Sequence, residues 1–192
     1  MIHPENITII GGGGAIGYAF AQELRARHPV ATIRVFSRAL PQTEISGVSH
    51  QLIDYEDELS IQAAANLASA DRPVDLVLVT TGILHEENLR PEKSLRELSY
   101  KNFERLFKVN TITPALIAKY FLPVLSRNKL SIFAALSARV GSVSDNQLGG
   151  WYAYRASKSA LNMIIKSASI EVARKNPEAI VCLLYTSDAA DD

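Results

Sequence analysis

The stretch Ile7-Thr8-Ile9-Ile10-Gly11-Gly12-Gly13-Gly14-Ala15-Ile16-Gly17 decides how the rest of the chain is read. Its first four residues are β-branched and stopped by glycine, which suits a short strand buried on both faces. Residues 16–27 then read as a helix, with Ala19, Phe20 and Leu24 on one side and Arg25 and Arg27 near its end. A strand, a glycine turn and a helix N-terminus in that order offer free N–H groups and a positive dipole end to an anion. Both Gly12-x-Gly14-x-x-Gly17 and Gly11-x-x-Gly14-x-x-Gly17 fit spacings that let the backbone approach a dinucleotide pyrophosphate. Gly11, Gly12, Gly14, Ile16 and Gly17 are therefore candidate cofactor contacts. A plain flexible strand-to-helix turn would also use such glycines.

Outward from this loop, strand-length apolar runs alternate with longer amphipathic stretches. Strands are expected at 31–36, 49–53, 75–80 and 130–136, with a sixth beginning at 179. Helices are expected at about 58–69, 100–126 and 152–175. Strands separated by helices imply βαβ units, and right-handed crossovers make the fold class α/β, a doubly wound parallel sheet of the Rossmann kind.

Composition bounds the function. The 192 residues are 47% apolar and 21% charged, the balance of a globular domain. Twenty basic residues against twenty acidic ones exclude a generic polyanion binder, so no nucleic-acid partner is expected. No basic segment precedes a long apolar run, and no window reaches the roughly 18 apolar residues of a membrane span. With the lone Cys182, this predicts a soluble cytoplasmic protein. His3, His28, His50 and His85 are scattered and show no metal-ligand spacing.

The second strand ends in Ser37-Arg38, where an acidic residue would favour NAD(H) and an arginine can hold a 2′-phosphate. Arg38 thus favours NADP(H) over NAD(H), unless it is a surface arginine. Asp54 is either an adenine contact or a turn acid. Tyr154 and Lys158 lie four residues apart on one helix face, and an ammonium near a phenol favours phenolate. Such a pair supplies acid–base chemistry at neutral pH; alone, it is also a common exposed helix pair. Asn110 precedes Pro114 by four residues, so its carbonyl loses the usual helical partner and either holds water or marks a proline kink. Trp151 and Tyr152 either wall a substrate pocket or pack in the core. The acidic run at 56–58 reads as a solvated helix start.

Together these motifs resemble the short-chain dehydrogenase/reductase family, from residue 7 to about 181. Residues 107–110, 137–142, 149–154 and 157–162 are similar to its C-factor-like and sniffer-like carbonyl reductase branch. The resemblance implies an NADP(H)-dependent oxidoreductase acting on a small carbonyl or alcohol. Tyr154 would be the acid, and Lys158 would hold the nicotinamide ribose and lower the phenol pKa. Asn110 would anchor a relay water, and Gly82 would contact cofactor. It also implies a homodimer or homotetramer. Two departures stand out. The family's Ser-x-x-Gly pattern places Ala138 where the catalytic serine belongs, leaving Ser137 as first substitute and Ser142 as second. Val79-Thr80-Thr81-Gly82 replaces Asn-Asn-Ala-Gly, and Ala15 replaces a glycine. Ala138 also supports the alternative of a non-catalytic NAD(P)-binding signalling or regulatory protein. The glycine spacing alone would suit a sugar-nucleotide epimerase.

Residues 182–192 resemble translated sequencing adapter. The expected organisation is therefore a native domain of residues 1–181, truncated at the sheet's C-terminal edge, and a foreign tail. Without Asp188, Asp191 and Asp192, 20 basic against 17 acidic residues leave a charge of +3. Such a fragment is expected to bind cofactor poorly and to turn over little.

Overall fold

β1 (Asn6–Ile10) is buried along its whole length and lies between two parallel neighbours, β2 (Thr32–Ser37) and β4 (Leu76–Val79). The computed structural model describes residues 3–185. β3 (Val48–Leu52), β5 (Ser131–Leu136) and β6 (Ala179–Leu184) complete a parallel sheet of order β3-β2-β1-β4-β5-β6. The expected doubly wound α/β class is observed, with each strand inside or within two residues of its expected span.

Each face of the sheet has its own core. Ile7, Ile9, Val35 and Leu78 pack with Ala21 of α1 (Ala15–Arg27). Ile10, Val77 and Phe133 point the other way, toward α2 (Glu58–Ser69), α4 (Thr113–Phe121) and α5 (Tyr152–Ala173). Alternation along β1 therefore feeds both cores, which is why isoleucine occurs on both of its faces.

The helix expected at 100–126 is interrupted. It divides into α3 (Tyr100–Phe107), a π turn at Lys108–Ile112, α4 and a 3-10 turn at Leu122–Val124. Pro114 has no N–H to give, and the Thr113 N–H reaches back five residues to the Lys108 carbonyl. The Thr113 hydroxyl donates to the same oxygen at 2.9 Å. The turn places Asn110 and Thr111 inside the protein.

Asp57 caps α2 by accepting the Leu59 N–H at 2.9 Å. Its neighbours in the acidic run tie elements together: Glu58 pairs with Lys119 at 2.6 Å and Glu56 with Lys108 at 2.7 Å. At the opening end of β1, the Asn6 amide donates to the carbonyls of Ala68, Arg72 and Pro73. Beside it, buried Asp75 accepts the Glu5 and Asn6 N–H groups and Lys129 Nζ.

β6 runs past residue 181 in unbroken register, with Cys182, Leu183 and Leu184 opposite Ala134, Ala135 and Leu136. Residues 186–192 of the expected foreign tail lie outside the described residues. Among the described residues, no helix is long and apolar enough to cross a membrane.

Candidate dinucleotide and catalytic site

The chain runs outward from β1 to β2 and β3, then returns to β4 on the other side. Sheets of this kind bind ligands where the strand order reverses, beyond the carboxyl ends of the strands. A cavity of about 810 Å³ lies there, lined by the glycine loop, Arg38, Asp54, Tyr55 and Thr80 to Gly82. Gly11 adopts φ 93°, and its N–H donates to the Phe36 carbonyl at 2.8 Å. A Cβ on Gly17 would stand 2.6 Å from both the Gly11 carbonyl and the Thr80 hydroxyl. Gly17 is thus demanded by packing behind the loop, whereas Gly11, Gly12 and Gly14 line the cavity. Ile16 is exposed and is not among the lining residues.

Gly14 heads α1 with no side-chain cap, and the first turn of α1 carries no acidic residue. A Cβ there would meet only the Gly11 carbonyl, at 3.6 Å. Uncapped N–H groups, a positive helix end and open space fit a dinucleotide pyrophosphate.

Arg38 is exposed and lines the same cavity. Asp54 accepts the Glu56 N–H at 2.8 Å in a turn, and it also lines the cavity wall. Tyr55 donates its hydroxyl to the Phe36 carbonyl at 3.3 Å, and burial pushes its phenol up to about 12. Arg105 grips Glu86 with two hydrogen bonds, at 3.0 and 2.6 Å, which hold that carboxyl below its usual range. Tyr55 and Arg105 line the cavity with no local sequence signal, and Thr80 and Lys108 line it beside them.

α5 carries both Tyr154 and Lys158. Lys158 is 3% exposed, which sets it apart from an exposed helix pair. Its Nζ donates to the Leu136 carbonyl at 3.0 Å, and burial pushes its ammonium down to about 8. A Cβ on Gly82 would stand 3.3 Å from Lys158 Nζ and 3.5 Å from Asn110 Oδ1, so both groups converge on that glycine. Asn110 is fully buried, accepts the Ile83 N–H at 2.8 Å, and donates to the Ile83 carbonyl and the Ser157 hydroxyl. The Tyr154 ring centre lies 5.9 Å from Lys158 Nζ, and Trp151 packs edge-on against that ring at 6.3 Å.

The serine region is arranged differently. The Ser137 hydroxyl donates to Asn162 Oδ1 at 2.6 Å, and its N–H donates to the Leu184 carbonyl at 2.7 Å. Ala138 is buried, and Ser142 lies against Ser144 at 3.2 Å.

Comparison with known proteins agrees with this fold. The chain is 36% identical over 91 residues to the C-signal of Myxococcus xanthus, a match taking in 47% of the chain and 53% of that relative. The chain thus spans about half the length of that relative. The carbonyl reductase Sniffer of D. melanogaster shares its fold with TM-score 0.81 at 20% identity, over 95% of this chain and 80% of that one. An NADPH-bound carbonyl reductase from chicken fatty liver does so with TM-score 0.81 at 21% identity, over 96% and 76%. The family model for short chain dehydrogenase matches residues 5–186, nearly the whole sequence. The chain belongs to the short-chain dehydrogenase family.

Proposed function

We propose that the protein is an NADP(H)-dependent oxidoreductase of small carbonyl or alcohol substrates, with Tyr154 as the acid and base. The convergence of buried Lys158 and Asn110 on Gly82, beside Tyr154, carries this reading. Bound nicotinamide supplies or accepts the hydride at the carbonyl carbon. Tyr154 gives its proton to the carbonyl oxygen in reduction and takes it back in oxidation. The Lys158 ammonium favours phenolate and hydrogen-bonds the nicotinamide ribose. Asn110 anchors the water that reconnects Lys158 to solvent. Gly11, Gly12 and Gly14 approach the pyrophosphate, Ile16 and Gly17 belong to the same loop, and Gly82 abuts the nicotinamide ribose. Arg38 meets the 2′-phosphate and Asp54 the adenine. Ser137 donates to the substrate oxygen once the Asn162 amide turns its NH2 toward it.

NADP in a bound neighbour from Burkholderia multivorans and NADPH in the chicken enzyme support the cofactor choice. The same reading makes the protein a cytoplasmic homodimer or homotetramer. Tyr154→Phe tests it on a panel of aldehydes, ketones and quinones. Turnover should vanish while NADPH binding survives; undiminished turnover refutes the assigned acid.

A second reading, a non-catalytic NAD(P)-binding regulatory protein, is favoured by buried Ala138 and by the commitment of the Ser137 proton to Asn162. It expects NADPH binding with no turnover on that panel, before or after substitution.

A further inference from the structure

Three consecutive residues before α5 have positive φ: Gly149 at 67°, Gly150 at 65° and Trp151 at 51°. A side chain disfavours this left-handed backbone, yet Trp151 adopts it as the residue heading α5. Trp151 supplies no side-chain cap. The opening N–H groups of a helix have no acceptor within it, and Tyr154 is the third residue of α5, inside that opening turn.

Glu92 provides the support from outside. It lies between β4 and α3 and is 2% exposed. Its Oε2 accepts the Ala153 N–H at 3.3 Å, and its main-chain oxygen accepts the Trp151 N–H at 2.5 Å. A Cβ on Gly150 would stand 3.3 Å from that same main-chain oxygen, so the left-handed run is pressed against Glu92. Oε1 is buried without a hydrogen-bond partner. Burying a carboxylate so incompletely satisfied is unfavourable. The positive end of α5 and the Ala153 N–H offset that cost, because negative charge is favoured at a helix N-terminus.

We propose that Glu92 is a positioning residue for Tyr154, a cap supplied from 61 residues away that holds the first turn of α5 beside the Asn110–Lys158 pair. The proposal rests on the reading of Tyr154 as the acid. It explains why a buried carboxylate and a left-handed tryptophan occur together one turn from the phenol. Both fix the entry of the helix at a single angle. Fraying of that turn would carry Tyr154 away from Lys158, which sits one turn deeper and is anchored to Leu136.

The test compares Glu92→Ala, Glu92→Gln and Tyr154→Phe in the full chain by amide hydrogen exchange, NADPH fluorescence titration and turnover. Glu92→Ala should speed exchange at Ala153 and Arg155 by about tenfold and leave Leu161 and Ile165 unchanged. Its turnover should fall about tenfold while NADPH affinity stays within about twofold of the parent. Glu92→Gln keeps an acceptor for the Ala153 N–H and should restore both exchange and turnover. The cap is refuted by parental protection of the first turn in Glu92→Ala, by equal loss at Leu161, or by failure of Glu92→Gln to rescue. Exchange requires no turnover, so it judges the cap even if Tyr154→Phe stays active and the acid assignment fails.

Discussion

Lys158 Nζ donates to the main-chain oxygen of Leu136 at 3.0 Å, joining the middle of α5 to the last residue of β5. One ammonium proton is spent on the scaffold, and Nζ still lies close to Gly82, the glycine that the Asn110 carboxamide also faces. The lysine is thereby fixed in place, but it is also poorly hydrated.

That burial makes stability depend on pH. Lys158 titrates near 8 in the folded protein and near 10.5 when exposed. Below pH 8 it is protonated in both states, and the folded state bears the full desolvation cost. Between 8 and 10.5 the unfolded chain holds the extra proton, so this group's contribution to stability rises with pH. Lys158→Met should therefore raise unfolding stability at pH 7 by on the order of 2 kcal/mol. The advantage should fade by pH 10.5 while turnover is lost. Denaturant unfolding at pH 7 and pH 10 measures it, and an advantage equal at both values would count against the burial argument.

Arg38→Asp should shift preference from NADP(H) to NAD(H), changing the ratio of the two affinities by about tenfold or more. Parallel titrations with NADP+ and NAD+ give the ratio directly. An unaltered ratio would remove Arg38 from the 2′-phosphate site.

Two glycine substitutions should separate packing from binding. Gly17→Ala drives a methyl to within 2.6 Å of the Gly11 carbonyl, so unfolding stability should fall by about 2 kcal/mol. Gly14→Ala meets nothing nearer than 3.6 Å, so it should leave the melting temperature nearly unchanged and weaken NADPH binding. Thermal unfolding and fluorescence titration of both variants check the pair. Identical behaviour would mean that the loop acts only as a turn.

Ser137→Ala should lower turnover about tenfold without altering NADPH affinity, because the proposal gives its hydroxyl to the substrate oxygen. Asn162→Ala frees that hydroxyl from its present acceptor and should raise the rate at which the serine can serve. Steady-state kinetics on one aldehyde decides both. A silent Ser137→Ala would pass the oxygen donor role to another group.

Sequence made the sheet legible because its strands are short apolar runs, β-branched at Ile7–Ile10 and mixed leucine and valine at Leu76–Val79. Tyr154 and Lys158 were legible because a helix converts a spacing of four into a shared face. The π turn at Lys108–Ile112 was hidden inside one continuous helical pattern. Pro114 announced a defect but not its geometry. Glu92 was hidden for a different reason: its partners are main-chain N–H groups 59 to 61 residues away, which no local pattern encodes. Thr80 was read only as a departure from the family. In the structure its hydroxyl donates to the Ile10 carbonyl at 2.9 Å and pins the end of β4 beside the glycine loop.

The polar knot of Asn6 and Asp75 gives the sheet one fastened end. Asn6 draws together the exit of α2 and the approach to β4, while Asp75 holds the chain entering β1. Both lie a full strand length from the glycine loop. The opposite rim can therefore change residues, and hence ligand preference, while the fastened end keeps the strands where they are.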